Sequence, residues 1–144
     1  MRVYVDTSAL LALYERHPET EAVEAYCLNA RILISRLTLV EFRSAVLRNK
    51  RKGNITLSQA RQIIEALRRD ASKYLLAEIT PTILRRACDL VEKYSAGRNL
   101  RSLDAVQLAA AVELPRRLSV VHFVTLDTHP LADIARHEGF SVKP

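Results

Sequence analysis

The chain has 144 residues, 49% of them apolar, and its 22 Lys and Arg outweigh 16 Asp and Glu to leave a net charge of +6. That length suits one domain, expected over residues 1–144, with a core of its own, and the sequence carries no internal repeat or low-complexity tract. No stretch resembles a signal peptide or a membrane span, so a cytoplasmic protein without a membrane partner is expected.

In chain order, "RVYV" at 2–5 is a short apolar run that ends on Asp6, Thr7 and Ser8. Pro18 can open a helix to about Ala30, and "ARILIS" is the second apolar run. Thr38 is a candidate cap for a helix with Leu39, Phe42 and Val46 on one face, ending before Gly53. "TLSQ" at 56–59 is a capping-box pattern ahead of "ARQIIEALRRD", and "KYLLAEI" is a weaker strand. Thr80-Pro81 starts a helix to about Ser95, and Ser102 to Leu114 is a helix closed by Pro115. "SVVHFVT" is the last apolar run, followed by a short helix in "PLADIARHEG". Unbroken apolar runs suit strands covered on both faces, and their alternation with helices predicts an α/β domain with a mainly parallel sheet. Cys27 and Cys88 fall in predicted helices among apolar neighbours and read as small core residues rather than a disulfide.

Four acids stand at element ends. Asp6 and Asp127 each finish an apolar strand, and parallel strands would project both at one edge of the sheet. Asp104 opens a helix that is apolar almost all round, with only Gln107 and Glu113 as further polar residues inside it. Glu41 falls in the first turn after Thr38. Each has a plain structural explanation, as a capping-box partner or as a charge that favours a helix N-terminus. If the four converged they would repel one another unless a cation joined them. An all-carboxylate set without ligand-spaced histidines suits a hard ion such as Mg²⁺ or Mn²⁺; His17, His122, His129 and His137 show no such spacing. The basic residues cluster, in "RNKRK" at 48–52 and with Arg98 near Arg101, which suits a polyanionic partner. Glu41, Ala45, Arg48 and Lys52 share one helical stripe roughly 16 Å long, able to carry a phosphate backbone toward the acids.

"VDTSALLALY", "LTLVEFRSAVLRNKRKG", "LRSLDAVQLAAA" and "FVTLD" with "ADIARHEG" resemble, in order, the acidic motifs of PIN-domain ribonucleases, most nearly the VapC-type toxins of toxin–antitoxin pairs. The resemblance implies one α/β/α domain, usually a homodimer, that hydrolyses RNA phosphodiesters with Mg²⁺ or Mn²⁺. Asp6, Glu41, Asp104 and Asp127 match the family's acidic quartet as catalytic residues and metal ligands, Asp6 and Asp104 foremost. Thr7, Ser8 and Thr125 match its supporting hydroxyls, and a cognate antitoxin is expected to place a basic side chain in the acidic pocket. Thr128-His129-Pro130 after the fourth acid, and the long "ELPRRLSVVHF" before the last strand, depart from the family pattern.

Two other readings stand beside this one. An aspartyl nucleophile for phosphoryl transfer would carry a second acid two residues after Asp6, where the chain has Ser8. A non-catalytic RNA-binding or scaffold module would use the four acids only as helix caps.

Overall fold

The apolar run at the start of the chain becomes the central strand of a sheet covered on both faces. The computed structural model describes residues 1–144 and holds five parallel strands, β1 (Arg2–Val5), β2 (Arg31–Ser35), β3 (Leu75–Ala77), β4 (His122–Val124) and β5 (Ser141–Lys143), in the order β3-β2-β1-β4-β5. Successive side chains of a strand face opposite ways. Val3 and Val5 therefore join Ile34 and Val124 under α1 (Thr7–Ala12), α2 (Thr20–Cys27), α3 (Arg36–Arg51) and α4 (Leu57–Asp70). Tyr4, Leu33 and Phe123 face the other layer, α5 (Pro81–Lys93), α6 (Ser102–Val112) and α7 (Asp133–His137). The result is the α/β/α sandwich expected from the alternating pattern.

The strand order reverses between β1 and β4, and a crevice opens at such a switch point beyond the carboxyl ends of the strands. Register draws the two strands together: Val5 pairs with Val124, and the Asp6 amide donates to the Val124 carbonyl at 3.1 Å. The residues that follow each strand, Asp6 on one and Thr125 to Asp127 on the other, thus meet at one edge.

Several boundaries differ from expectation. Ser35, not Thr38, caps α3, its hydroxyl accepting from the Thr38 amide at 3.2 Å. Thr38 is consequently the third residue of α3, fully buried, and Glu41 lies in the second turn, where no capping box is available to it. The cap of α6 is Arg101 rather than Ser102, without a side-chain bond to the helix. The Thr56–Gln59 capping box and Pro81 at the start of α5 are present as read. β5 escaped the pattern because it has three residues at a sheet edge and is held by backbone pairing to β4. Cys27 is half-buried, whereas Cys88 is exposed on α5 and is not a core residue.

Candidate active site

Asp6 is the most constrained of the acids. It is 4% exposed and caps α1, Oδ1 accepting from the Ala9 amide at 3.0 Å and from Ser8 Oγ at 2.8 Å. Its Oδ2 accepts from Thr125 Oγ1 at 2.6 Å. Thr125 in turn accepts from the Asp127 amide at 3.0 Å, and Ser8 Oγ accepts from the Leu126 amide at 2.9 Å. These bonds fasten the end of β1 to the turn after β4 and hold Asp127 beside Asp6. Burial pushes the Asp6 carboxyl up to about 6, opposed by its hydrogen bonds and reinforced by Asp127.

The helices supply the other two acids. Glu41 Oε2 accepts from Thr7 Oγ1 at 2.6 Å and from the Gln107 amide. Asp104 stands in the first turn of α6, where the helix dipole favours its charge. Its Oδ2 is buried without a hydrogen-bond partner, although the Arg101 Nε lies 3.5 Å away. Burial, then the negative charge of Asp127, then that of Glu41 raise its pKa, with Arg101 acting against them. Arg101 also reaches to 3.9 Å from Asp127 Oδ2, so one guanidinium lies against two of the four acids. Only Asp6 serves as a side-chain cap; the helical segments begun at Arg101 and Asp127 have none, and Glu41 is internal to α3.

All four acids line one open cavity of about 500 Å³, together with Thr7, Ser8 and Gln107. Leu11, Leu37, Val40 and Leu103 form an apolar rim, and Arg48 lines the cavity from α3. No three His, Cys, Asp or Glu side chains are grouped tightly enough to hold one ion between them as they stand. Lys52 is the terminal cap of α3, outside the cavity, and Arg98 lines a separate notch with Asp133, Arg136 and His137. Sequence reasoning missed Gln107, 2% exposed at the centre of the hydroxyls, and the signal was there: it is the one amide inside an almost wholly apolar helix.

The geometry can be set against known proteins. The PIN domain family model matches residues 3–137. The sarcin-ricin loop cleaving toxin VapC20 of Mycobacterium tuberculosis is 18% identical, with a TM-score of 0.70 over 99% of both chains. The DNA-bound VapBC of Salmonella typhimurium is 17% identical, with a TM-score of 0.69 over 99% of this chain and 96% of that one. FitAcB of Neisseria gonorrhoeae is 16% identical, with a TM-score of 0.68 over 97% and 95%. No curated protein matches the sequence. At these identities the solved structures share the fold, while the family model spans nearly the whole chain. The chain belongs to the PIN-domain family.

Proposed function

We propose that the protein is a metal-dependent endoribonuclease of the VapC toxin type, with Asp6, Glu41, Asp104 and Asp127 as its acidic centre. The observation that carries the reading is the meeting of four carboxylates in one cavity, of which only Asp6 is used as a cap. A scaffold in which acids serve as caps accounts for that one alone.

The residues suit a hard divalent cation. Every acidic donor is a carboxylate oxygen, and the buried Asp104 Oδ2 makes no hydrogen bond, with the Arg101 guanidinium 3.5 Å away as its nearest cation. An oxygen so placed costs about 1–3 kcal/mol unless something compensates it. Asp6 and Asp104 would hold Mg²⁺ or Mn²⁺, with Glu41 and Asp127 completing the set directly or through water. The ion, when bound, supplies Lewis acidity toward a phosphoryl oxygen and a more acidic water. The chain's own part is to aim and to neutralise. Thr125 and Ser8 fix the Asp6 carboxylate, and Thr7 fixes that of Glu41. Arg48, which lines the cavity, and Arg101, beside Asp104 and Asp127, would grip a phosphodiester by charge-assisted hydrogen bonds. Lys52 and Arg98 lie farther out and would meet neighbouring phosphates.

The toxin reading draws on the solved structures of similar fold, among them VapC20 of Mycobacterium tuberculosis and the VapBC of Salmonella typhimurium. On that reading a cognate antitoxin covers the apolar rim and sets a basic side chain among the acids, and the toxin works as a cytoplasmic homodimer. No helix is long and apolar enough to cross a membrane. The test is cleavage of a total-RNA pool with Mn²⁺ or Mg²⁺, with EDTA, and by an Asp104→Asn variant. Discrete fragments that need the ion and vanish in the variant support the nuclease. RNA binding without cleavage overturns it in favour of a binding module.

A further inference from the structure

One polar group at the cavity belongs to neither the acids nor their nearest hydroxyls. Gln107 rises from α6, yet every side-chain hydrogen bond between α6 and the opposite layer passes through it. Its Nε2, with two hydrogens to donate, lies within hydrogen-bond distance of Glu41 Oε2, of Thr7 Oγ1 at 3.1 Å and of Thr38 Oγ1 at 3.0 Å. Its Oε1 accepts from Tyr4 Oη at 2.7 Å and Ser35 Oγ at 3.0 Å. Those partners come from β1, the end of β2, α1 and α3, so one amide joins both helical layers across the top of the sheet.

The direction of the amide follows from its surroundings. Rotated by half a turn, Gln107 would set its carbonyl oxygen against Glu41 Oε2, two acceptors face to face. From the other side Tyr4 Oη donates to the carbonyl end of the same amide, at 2.7 Å from Oε1. Tyr4, Ser35, Thr38 and Gln107 are all almost wholly buried, so water does not compete for these bonds. With Gln107 and Thr7 both bonded to Oε2, the Glu41 carboxylate, which lines the cavity, is held through one oxygen.

We infer that Gln107 is a positioning residue that presents Glu41 to the acidic centre, and that Tyr4 acts through it as the anchor of the amide. The inference rests on the metal-dependent reading above. Partners that orient a ligand typically change metal affinity 10- to 100-fold when removed. A residue that only filled the core would lower stability and leave the affinity of the folded protein unchanged.

The experiment measures Mn²⁺ affinity, well below the melting temperature, for the wild type, Asp104→Asn, Gln107→Met, Tyr4→Phe and the Gln107→Met/Tyr4→Phe double variant. Gln107→Met should weaken Mn²⁺ binding about tenfold or more, and Tyr4→Phe severalfold less. The double variant should be no weaker than Gln107→Met alone, because Tyr4 has no route to Glu41 without the amide. Folded Gln107→Met with unchanged affinity overturns the inference, as do additive losses in the double variant. If Gln107→Met does not fold, Tyr4→Phe decides alone, and an unchanged affinity there overturns it equally. A separate measurement on the metal-free protein follows exchange of the Gln107 side-chain amide protons. Protection that is lost in Glu41→Ala, in a wild type that binds no Mn²⁺, leaves the contact standing and overturns the metal reading instead. Rapid exchange in the wild type overturns the inference whatever the ion does.

Discussion

The two halves of the acidic pocket are built differently. The half at the strand ends is saturated with short hydrogen bonds: Asp6 takes three donors, and Thr125 ties it to Asp127. The half supplied by the helices is uneven: Glu41 takes donors from Thr7 and Gln107, whereas Asp104 keeps a buried oxygen without a hydrogen bond and has only the exposed Arg101 as a nearby cation. A carboxylate with all its donors in place is a fixed reference point. One without them is costly in isolation and is where a cation gains most. On the proposed function, the strand half would set the geometry and Asp104 would supply much of the affinity.

That contrast can be broken most severely at Asp104. Asp104→Asn should lower RNA cleavage about a hundredfold or more, each factor of ten being about 1.4 kcal/mol of transition-state stabilisation. It should also raise the melting temperature of the metal-free protein, because a buried like charge is removed. Cleavage assays beside thermal melts read both effects, and a loss of activity accompanied by loss of stability would contradict the division proposed.

Thr125→Val attacks the strand half. It strips Asp6 Oδ2 of its 2.6 Å donor and leaves the Asp127 amide without its acceptor. Activity should fall about tenfold, and stability by about 1–3 kcal/mol, seen as a lower midpoint in urea. Opposite signs for the stability changes of Asp104→Asn and Thr125→Val would sharpen the comparison; equal signs would remove it.

Arg101→Ala should have a smaller effect. Its side chain is 71% exposed, so the ion pairs it makes contribute little to folding. The expected change is a severalfold rise in KM for RNA and a salt dependence of binding reduced by about one phosphate contact, measured by titration at several ionic strengths.

The smallest effect is on stability against pH. The carboxyls of Asp6, at about 6, and of Asp104 are raised in the folded protein, so each binds its proton more tightly folded than unfolded. Their contribution is complete below the ordinary carboxylate range and is lost as pH rises through the folded values. The metal-free protein should gain a few degrees in melting temperature from pH 7 to about pH 5. Asp70, Asp133 and Glu138, whose values are lowered, act the other way and only at lower pH. Saturating Mn²⁺ should flatten the rise, since an ion that binds the ionised carboxylates offsets their cost of burial.

Much of this was legible before the structure, and for local reasons. The capping box at Thr56 and Gln59 needs only four consecutive residues, and Pro81 has a fixed φ that suits the start of a helix. Unbroken apolar runs marked four of the strands. β5 was not marked, because an edge strand paired on one side needs little apolar sequence. The start of α3 was misplaced because Ser35 and Thr38 are both good caps, and the choice depended on where β2 stopped pairing.

By itself, the order of residues determined most of the element types, the α/β class and the presence of four acids near element ends, since strand and helix periods and end signals are local properties of the chain. The tertiary structure alone decided which acids are bound by neighbours and which are left bare. It placed Arg98 and Lys52 outside the cavity and made Gln107 the link between its walls. Those outcomes depend on contacts between residues far apart in the chain, created when parallel pairing brings β1 beside β4 and Gln107 of α6 meets Thr38 and Glu41 of α3.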